Sequence, residues 1–279
     1  MSITIEVAKE AGACFGVERA LTLALKTAEQ SDGPVHTLGP LIHNPVVVHE
    51  LETHGVTAVS DPTVPADATL LLRTHGVSPD IESAAKASGA TVIDATCPYV
   101  KKVHKAIERL EQAGYQVLIV GEAGHPEVEG TRGHAPSAVV VGSAEEVREL
   151  ELGRRVGVVV QTTMAEAVLQ DVVSELVGRV EETRVINTIC TATSERQAAA
   201  AELALRSDVM IVIGGKNSAN TTHLADICRA ACPATHHIET PEELKASWFE
   251  DVNLVGVTAG ASTPQAHIEA VVSAIERLG

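Results

Sequence analysis

Three cysteines, Cys14, Cys97 and Cys190, stand 83 and 93 residues apart, and each runs straight into a segment of helical pattern. No zinc-finger or ferredoxin spacing links them. A thiol at the start of a helix is favoured as the thiolate, the form that binds metal. Three thiolates gathered by the fold suit a cuboidal iron–sulfur cluster that keeps one iron open to a further ligand, whereas a purely electron-carrying cluster uses four. The plain alternative is that all three are small buried apolar residues. Cys228 and Cys232 sit four apart on an Ala-rich helix expected over 222–231 and read as packing, since no third cysteine completes a radical-SAM pattern.

Other candidate groups recur in glycine- and proline-bounded loops. His43, His75 and His125 occupy such loops and can donate hydrogen bonds to phosphate oxygens; Asn217, Ser218, Asn220 and Ser262 offer neutral donors. Glu127, in Gly124-His-Pro-Glu-Val-Glu-Gly130, is a candidate general acid if burial raises its pKa, against the reading of a first-turn helix glutamate, which Glu129 fits. Thr162 and Thr163 can relay a proton or orient a hydroxyl. His49, His54, His104 and His134 read as surface or helix-face residues, and His236 and His237 as strand residues.

The elements that must position these groups follow a βα rhythm. Strand-like runs at 35–38, 57–59, 69–73 and 91–94 form one set; those at 116–120, 138–141, 156–160 and 184–189 form a second; those at 209–213, 236–239 and 254–257 form a third that lacks a fourth strand. The loops after them repeat in kind, and Val-Ile-Asp-Ala-Thr-Cys97 matches Val-Ile-Asn-Thr-Ile-Cys190. The unclaimed piece is the start of the chain, Ile3–Ala8 followed by Cys14. We therefore expect an α/β fold of three pseudo-threefold-related βα units with mainly parallel sheets, the third completed by the amino-terminal strand. The units are residues 15–97, 98–190, and 191–279 plus 1–14. Ligands belong at the carboxyl ends of such strands, where helix amino termini favour anions.

Composition narrows the partners. The 279 residues are 45% apolar with five aromatics, enough for an aliphatic core and too few rings for stacking on bases. Lys and Arg number 21 against 37 Asp and Glu, a net charge of −16 that repels nucleic acid and anionic lipid. No run approaches a membrane span, and Glu6 interrupts what would be a signal peptide. The expected setting is cytoplasmic.

The ordered stretches Cys14-Phe-Gly-Val-Glu-Arg-Ala, Gly39-Pro-Leu-Ile-His-Asn-Pro, His75-Gly-Val, Asp94-Ala-Thr-Cys97-Pro, Gly124-His-Pro-Glu-Val-Glu-Gly130, Gln161-Thr-Thr, Ile189-Cys190, Lys216-Asn-Ser and Gly256-Val-Thr-Ala-Gly-Ala-Ser262 resemble the IspH/LytB family of 4-hydroxy-3-methylbut-2-enyl diphosphate reductases, over essentially the whole chain. The resemblance implies a three-lobed α/β fold around a central [4Fe-4S] cluster on Cys14, Cys97 and Cys190. It implies an allylic alcohol diphosphate with its hydroxyl at the unique iron and its diphosphate against His43, His75, His125, Ser218, Asn220 and Ser262. It also implies Glu127, Thr162 and His125 as the catalytic set: Glu127 supplies protons, Thr162 holds the substrate hydroxyl, and two electrons pass through the cluster. Water, isopentenyl diphosphate and dimethylallyl diphosphate are the implied products, and a ferredoxin or flavodoxin the implied electron donor. The chain departs from the family pattern at Ala13, Thr74 and Ala219, the last where a second serine would offer a hydroxyl.

Three rival classes are separable by residues. A quinolinate-synthase-like dehydratase shares three cysteines but not the His-Pro-Glu and Gln-Thr-Thr loops. A zinc deaminase needs Pro-Cys-x-x-Cys, which is absent. A non-enzymatic iron–sulfur sensor needs neither a proton donor nor phosphate-binding loops.

Overall fold

The computed structural model describes residues 3–278, so the outermost ends of the expected third unit, residues 1–2 and 279, lie outside the described residues. From the amino end come β1 (Thr4–Val7), α1 (Phe15–Gln30), β2 (Val35–Leu38), α2 (Pro45–Thr53), β3 (Val56–Val59), β4 (Thr69–Leu72), α3 (Pro79–Ala87) and β5 (Thr91–Asp94). Next are α4 (Pro98–Gln112), β6 (Gln116–Val120), α5 (Pro126–Arg132), β7 (Val139–Val141), α6 (Ala144–Arg148), β8 (Arg155–Val160), α7 (Glu166–Leu176) and β9 (Glu182–Val185). The remainder holds α8 (Thr191–Ala204), β10 (Val209–Ile213), α9 (Ala219–Ala231), β11 (Thr235–Ile238), β12 (Leu254–Ala259) and α10 (Gln265–Leu278).

These strands form three four-stranded sheets, ordered β3-β2-β4-β5, β7-β6-β8-β9 and β11-β10-β12-β1. Every pairing is parallel. The three orders are the same pattern, with β1 standing where β5 and β9 stand in the others. The amino-terminal strand thus completes the third sheet, with Thr4 opposite Leu254 and Val7 opposite Val257.

Parallel strands covered on both faces read as continuous apolar runs, and alternation along each strand splits them between two cores. In β10, Val209, Ile211 and Ile213 join Val255, Val257 and the α10 residues Ile268, Val271 and Ile275. Met210 and Val212 point the other way, to Leu203 of α8 and Leu224 and Cys228 of α9. The same division runs through β6: Val117 and Ile119 meet Val103, Ile107 and Leu110 of α4, while Leu118 and Val120 meet Leu169, Val172 and Leu176 of α7. Burial of each such side chain contributes roughly 1.5–3 kcal/mol.

By contacts the chain divides into two compact units. One gathers the amino-terminal segment through Val17, His43–Val47 and the chain from Thr191 on; the other comprises Glu18–Ile42 and Val48–Cys190.

The structure corrects three local expectations. The strand expected over 184–189 is β9, ending at Val185. Beyond it Asn187 turns the backbone, its Oδ1 accepting from Ile189 N at 3.0 Å, while Thr188 Oγ1 accepts the N–H of Val160 at 2.8 Å in place of a strand neighbour. The helix expected from residue 222 begins at Ala219 with Ser218 as its cap. His104 is buried, 7% exposed, because its position on α4 faces inward under Gly76, where an added Cβ would lie 2.6 Å from its Cε1. Cys228 and Cys232 are buried, as their reading as packing requires, and burial pushes the Cys228 thiol up to about 12.

Candidate active site

In the larger unit the loops after β4, β6 and β8 and the segments before α4 and α8 carry seven of the candidate groups: His75, Cys97, His125, Glu127, Thr162, Thr163 and Cys190. Cys97 is the residue immediately before α4, and Cys190 the residue immediately before α8. Both are half-buried. Each is reached through the same turn: Asp94 Oδ1 accepts from Thr96 N at 2.9 Å, as Asn187 Oδ1 accepts from Ile189 N. A side chain three positions ahead of each cysteine thus closes an Asx turn. Cys97 then donates its N–H to Thr74 O at 3.0 Å, and Cys190 to Thr162 O at 3.1 Å. The equivalent cysteine of the other unit, Cys14, donates to Ala261 O at 3.1 Å. All three acceptors lie in the loop after the strand next to the cysteine's own, so the repeat extends from sheet order to single hydrogen bonds.

His125 and Glu127 come from the loop after β6. Pro126 opens α5 with its φ already suited to a helix, and His125 is the cap, its Nδ1 accepting from Glu127 N at 3.1 Å. A neutral imidazole whose Nδ1 accepts carries its proton on Nε2, so His125 presents a donor on that side. The His75 ring meets it edge to face with centroids 5.6 Å apart.

Glu127 is 3% exposed. Thr162 satisfies it twice: Thr162 N donates to Oε1 at 2.6 Å and Thr162 Oγ1 donates to Oε2 at 2.8 Å. Burial raises the carboxyl above its ordinary value, and the two Thr162 hydrogen bonds oppose that shift without cancelling it. A first-turn glutamate bound to its own helix is only half-buried; Glu129 is that residue, with Oε1 accepting from Gly124 N at 3.3 Å and Oε2 paired with Arg132 at 2.8 Å.

In the other unit Ser218 caps α9 through Thr221 N at 3.4 Å, and Asn220 lies in the first turn. Both are buried. Asn220 Nδ2 has no hydrogen-bond partner among the described residues, and a buried unmade donor costs about 1–3 kcal/mol unless a ligand accepts from it. Ser262 Oγ donates to His43 O at 3.2 Å, and Asn44 Nδ2 donates to Ser262 O at 2.8 Å, so one asparagine joins two candidate residues 219 positions apart. Gly215 must be glycine for that approach, because a Cβ there would stand 2.7 Å from His43 O.

Sequence reasoning missed the residues that hold these loops. Gln161, 1% exposed, accepts from Glu122 N at 2.9 Å and donates to Thr163 Oγ1 at 3.0 Å, bracing the loop after β6 against the loop after β8. Arg196 donates to Gly12 O at 2.8 Å, two residues ahead of Cys14, and Arg19 reaches the carbonyls of Ala95 and Thr96 at 3.4 Å, just ahead of Cys97. The signals available were the matched Asp94 and Asn187 and the presence of Arg19 and Gln161 in the quoted family stretches; nothing in the sequence marked Arg196.

The family model described as "LytB protein" matches residues 5–276. The chain belongs to the LytB family. Among curated LytB relatives, a protein of Aquifex aeolicus is 47% identical over 280 residues, covering 99% of this chain and 97% of its own. One of Geobacter sulfurreducens is 49% identical over 274 residues, covering 98% and 96%. Both are named 4-hydroxy-3-methylbut-2-enyl diphosphate reductase. A solved structure of the (E)-4-hydroxy-3-methyl-but-2-enyl diphosphate reductase described as the terminal enzyme of the non-mevalonate pathway is similar at 47% identity and TM-score 0.74, covering 99% of each chain. That of the Plasmodium falciparum reductase is similar at 28% identity and TM-score 0.94, covering 98% of this chain and 88% of its own. No helix among the described residues of this LytB protein is long and apolar enough to cross a membrane.

Proposed function

We propose that this LytB protein is a 4-hydroxy-3-methylbut-2-enyl diphosphate reductase of the cytoplasm. It removes the allylic hydroxyl as water and yields isopentenyl and dimethylallyl diphosphate. The balance is two electrons and two protons consumed for one C–O bond broken and one C–H bond formed. The observation that carries the reading is the buried Glu127 carboxyl, held by Thr162 and raised above its ordinary value, which is what a proton donor near neutral pH requires.

The three units 15–97, 98–190 and 191–279 plus 1–14 each contribute one cysteine to a cofactor. Cys14, Cys97 and Cys190 fit a [4Fe-4S] cluster: three soft thiol donors, each half-buried, each at a helix start, each tethered by the same backbone bond. When bound, the cluster supplies the electrons and a Lewis-acidic iron for the departing hydroxyl.

The chain's own groups do the rest. Thr162 Oγ1 and Glu127 Oε2 lie 2.8 Å apart; when the carboxyl is protonated on Oε2 the hydrogen bond between them reverses, so Oγ1 takes that proton as its own O–H turns to the substrate oxygen and passes its proton on. Hydroxide leaves poorly and water leaves well, which is the gain from that transfer. His125 donates from Nε2, and with His43, His75, Ser218, Asn220 and Ser262 it binds the diphosphate by aimed donors, which are strong where water is excluded.

The test is anaerobic reconstitution with iron and sulfide, then turnover of the allylic diphosphate with a chemical reductant. Cluster content that is intact in Glu127→Gln with turnover abolished supports the reading. A stable cluster with no turnover in the unaltered protein overturns it in favour of a sensor, and no iron uptake overturns the assignment of the cysteines.

A further inference from the structure

We propose that the solvent-facing stripe of α4 is the docking surface for a small acidic one-electron carrier protein. The inference rests on the reductase reading above and names the partner that reading requires.

The stripe is defined by helical spacing. Tyr99, Lys102, Lys105 and Arg109 follow at intervals of three, three and four residues and are all exposed, while Val100, Val103, His104, Ala106, Ile107 and Leu110 face the sheet. Charge sets this helix apart. It carries four Lys and Arg against two Glu, a formal +2 in a chain of net −16, and no other α-helix among the described residues is net positive.

The acidic members are also drawn away from the stripe. Glu108 bonds His134 at 2.7 Å and Glu111 accepts from Ser137 Oγ at 2.7 Å. Lys101, off the stripe, is paired with Asp94. Lys102, Lys105 and Arg109 have no ion pair among the described residues, and Lys102 lies over the exposed Tyr99 ring, 4.7 Å from its centroid. An aromatic residue with unpaired cations on a rigid helix is the composition of a protein-binding surface for an anionic partner.

Position supplies the purpose. Cys97 caps the helix, so at 1.5 Å per residue Tyr99, Lys102 and Lys105 lie about 3, 8 and 12 Å along the axis from it. A carrier seated on the stripe therefore sits against the element that ends in a proposed cluster ligand. In an otherwise acidic protein a local positive stripe also orients an acidic carrier, which the rest of the surface repels.

The experiment uses the reconstituted holoenzyme, an acidic ferredoxin as the probe, and the triple variant Lys102→Glu/Lys105→Glu/Arg109→Glu. Lys26→Glu/Lys86→Glu on α1 and α3, a charge change of −4 against −6, serves as a control for charge reversal elsewhere on the surface. Direct titration of the oxidised ferredoxin, without turnover, should show affinity reduced about ten- to a hundredfold in the triple variant and little changed in the control. KM for the ferredoxin should rise in parallel and its dependence on salt should weaken, while turnover with a chemical reductant and iron content stay as in the unaltered enzyme. Ferredoxin binding and KM unchanged in the triple variant, with chemical turnover intact, would overturn the docking surface alone. A stripe that instead holds a second copy of this chain, seen as self-association lost on charge reversal with ferredoxin binding retained, would also overturn it. Absence of chemical turnover in the unaltered enzyme would sink the reductase reading on its own.

Discussion

Thr162 binds Glu127 and Cys190 at once. Its N–H and hydroxyl occupy the two carboxyl oxygens of Glu127 at 2.6 and 2.8 Å, and its carbonyl accepts the N–H of Cys190 at 3.1 Å. One residue therefore places the proposed proton source and a proposed cluster ligand relative to each other, through main-chain atoms that a side-chain substitution does not remove.

Glu127→Gln keeps an acceptor for Thr162 N but ends proton supply, so turnover should fall by about 10²–10⁴ with cluster content unchanged. Stability should respond with the opposite sign to that of an ordinary surface carboxylate. Burial raises Glu127 above its ordinary 4.5 in the folded state, so the folded protein holds the extra proton and stability falls as pH rises through the raised value. Urea denaturation across that range should give a shallower decline for the Gln variant.

His104 titrates the other way. Burial and the stacked His134, with ring centroids 4.0 Å apart, push it down from 6.5 to about 4. The unfolded chain then binds the proton that the folded one refuses, and stability is lost as pH falls from 6.5 toward 4. The full window amounts to about 3 kcal/mol, of which about 2 kcal/mol is lost by pH 5. His104→Gln should flatten the stability profile between pH 7 and 5; an equally steep profile would show that other groups cause it.

Cys97→Ser separates cofactor loss from unfolding. Cys97 makes no side-chain cap bond to α4, and serine caps helices well, so the variant freed of iron should be at least as stable as the cluster-free parent. Its iron and sulfide content should collapse. Circular dichroism with metal analysis on the same samples checks both.

His125 has two separable duties. His125→Asn can still accept from Glu127 N and should cost little stability, whereas His125→Ala loses the cap and about 1 kcal/mol. Both lack the Nε2 donor, so both should raise KM for the diphosphate. Thermal unfolding and steady-state kinetics distinguish the two losses.

Asn220→Ala should weaken diphosphate binding at least about tenfold without destabilising the ligand-free protein, because the amide it removes is a buried donor with no partner among the described residues. A drop in stability equal to the drop in affinity would point to an internal partner instead.

The strands were legible to within a residue or two wherever both faces are covered, as in β2, β6 and β10, because parallel strands need long apolar runs. The boundary failed at β9, where Ile186 and Ile189 continue the apolar pattern while Asn187 and Thr188 break the ladder with side-chain bonds. The short α6 went unseen because five residues carry too little periodicity. His104 reads as a helix-face residue in sequence, and only the missing side chain at Gly76, with φ of +71°, makes room to bury it.

The sequence by itself determined the three-sheet plan, the return of the amino-terminal strand to the third sheet, and the cysteine ahead of each helix, since these follow from local apolar runs and repeated loop residues. Tertiary structure alone decided how those groups behave. Whether Glu127 is a surface acid or a buried one depends on Thr162, 35 residues away, and whether His104 is charged depends on the stacked His134 and on what covers it. Desolvation is set by neighbours brought from elsewhere in the chain, and no local pattern of residue types encodes it.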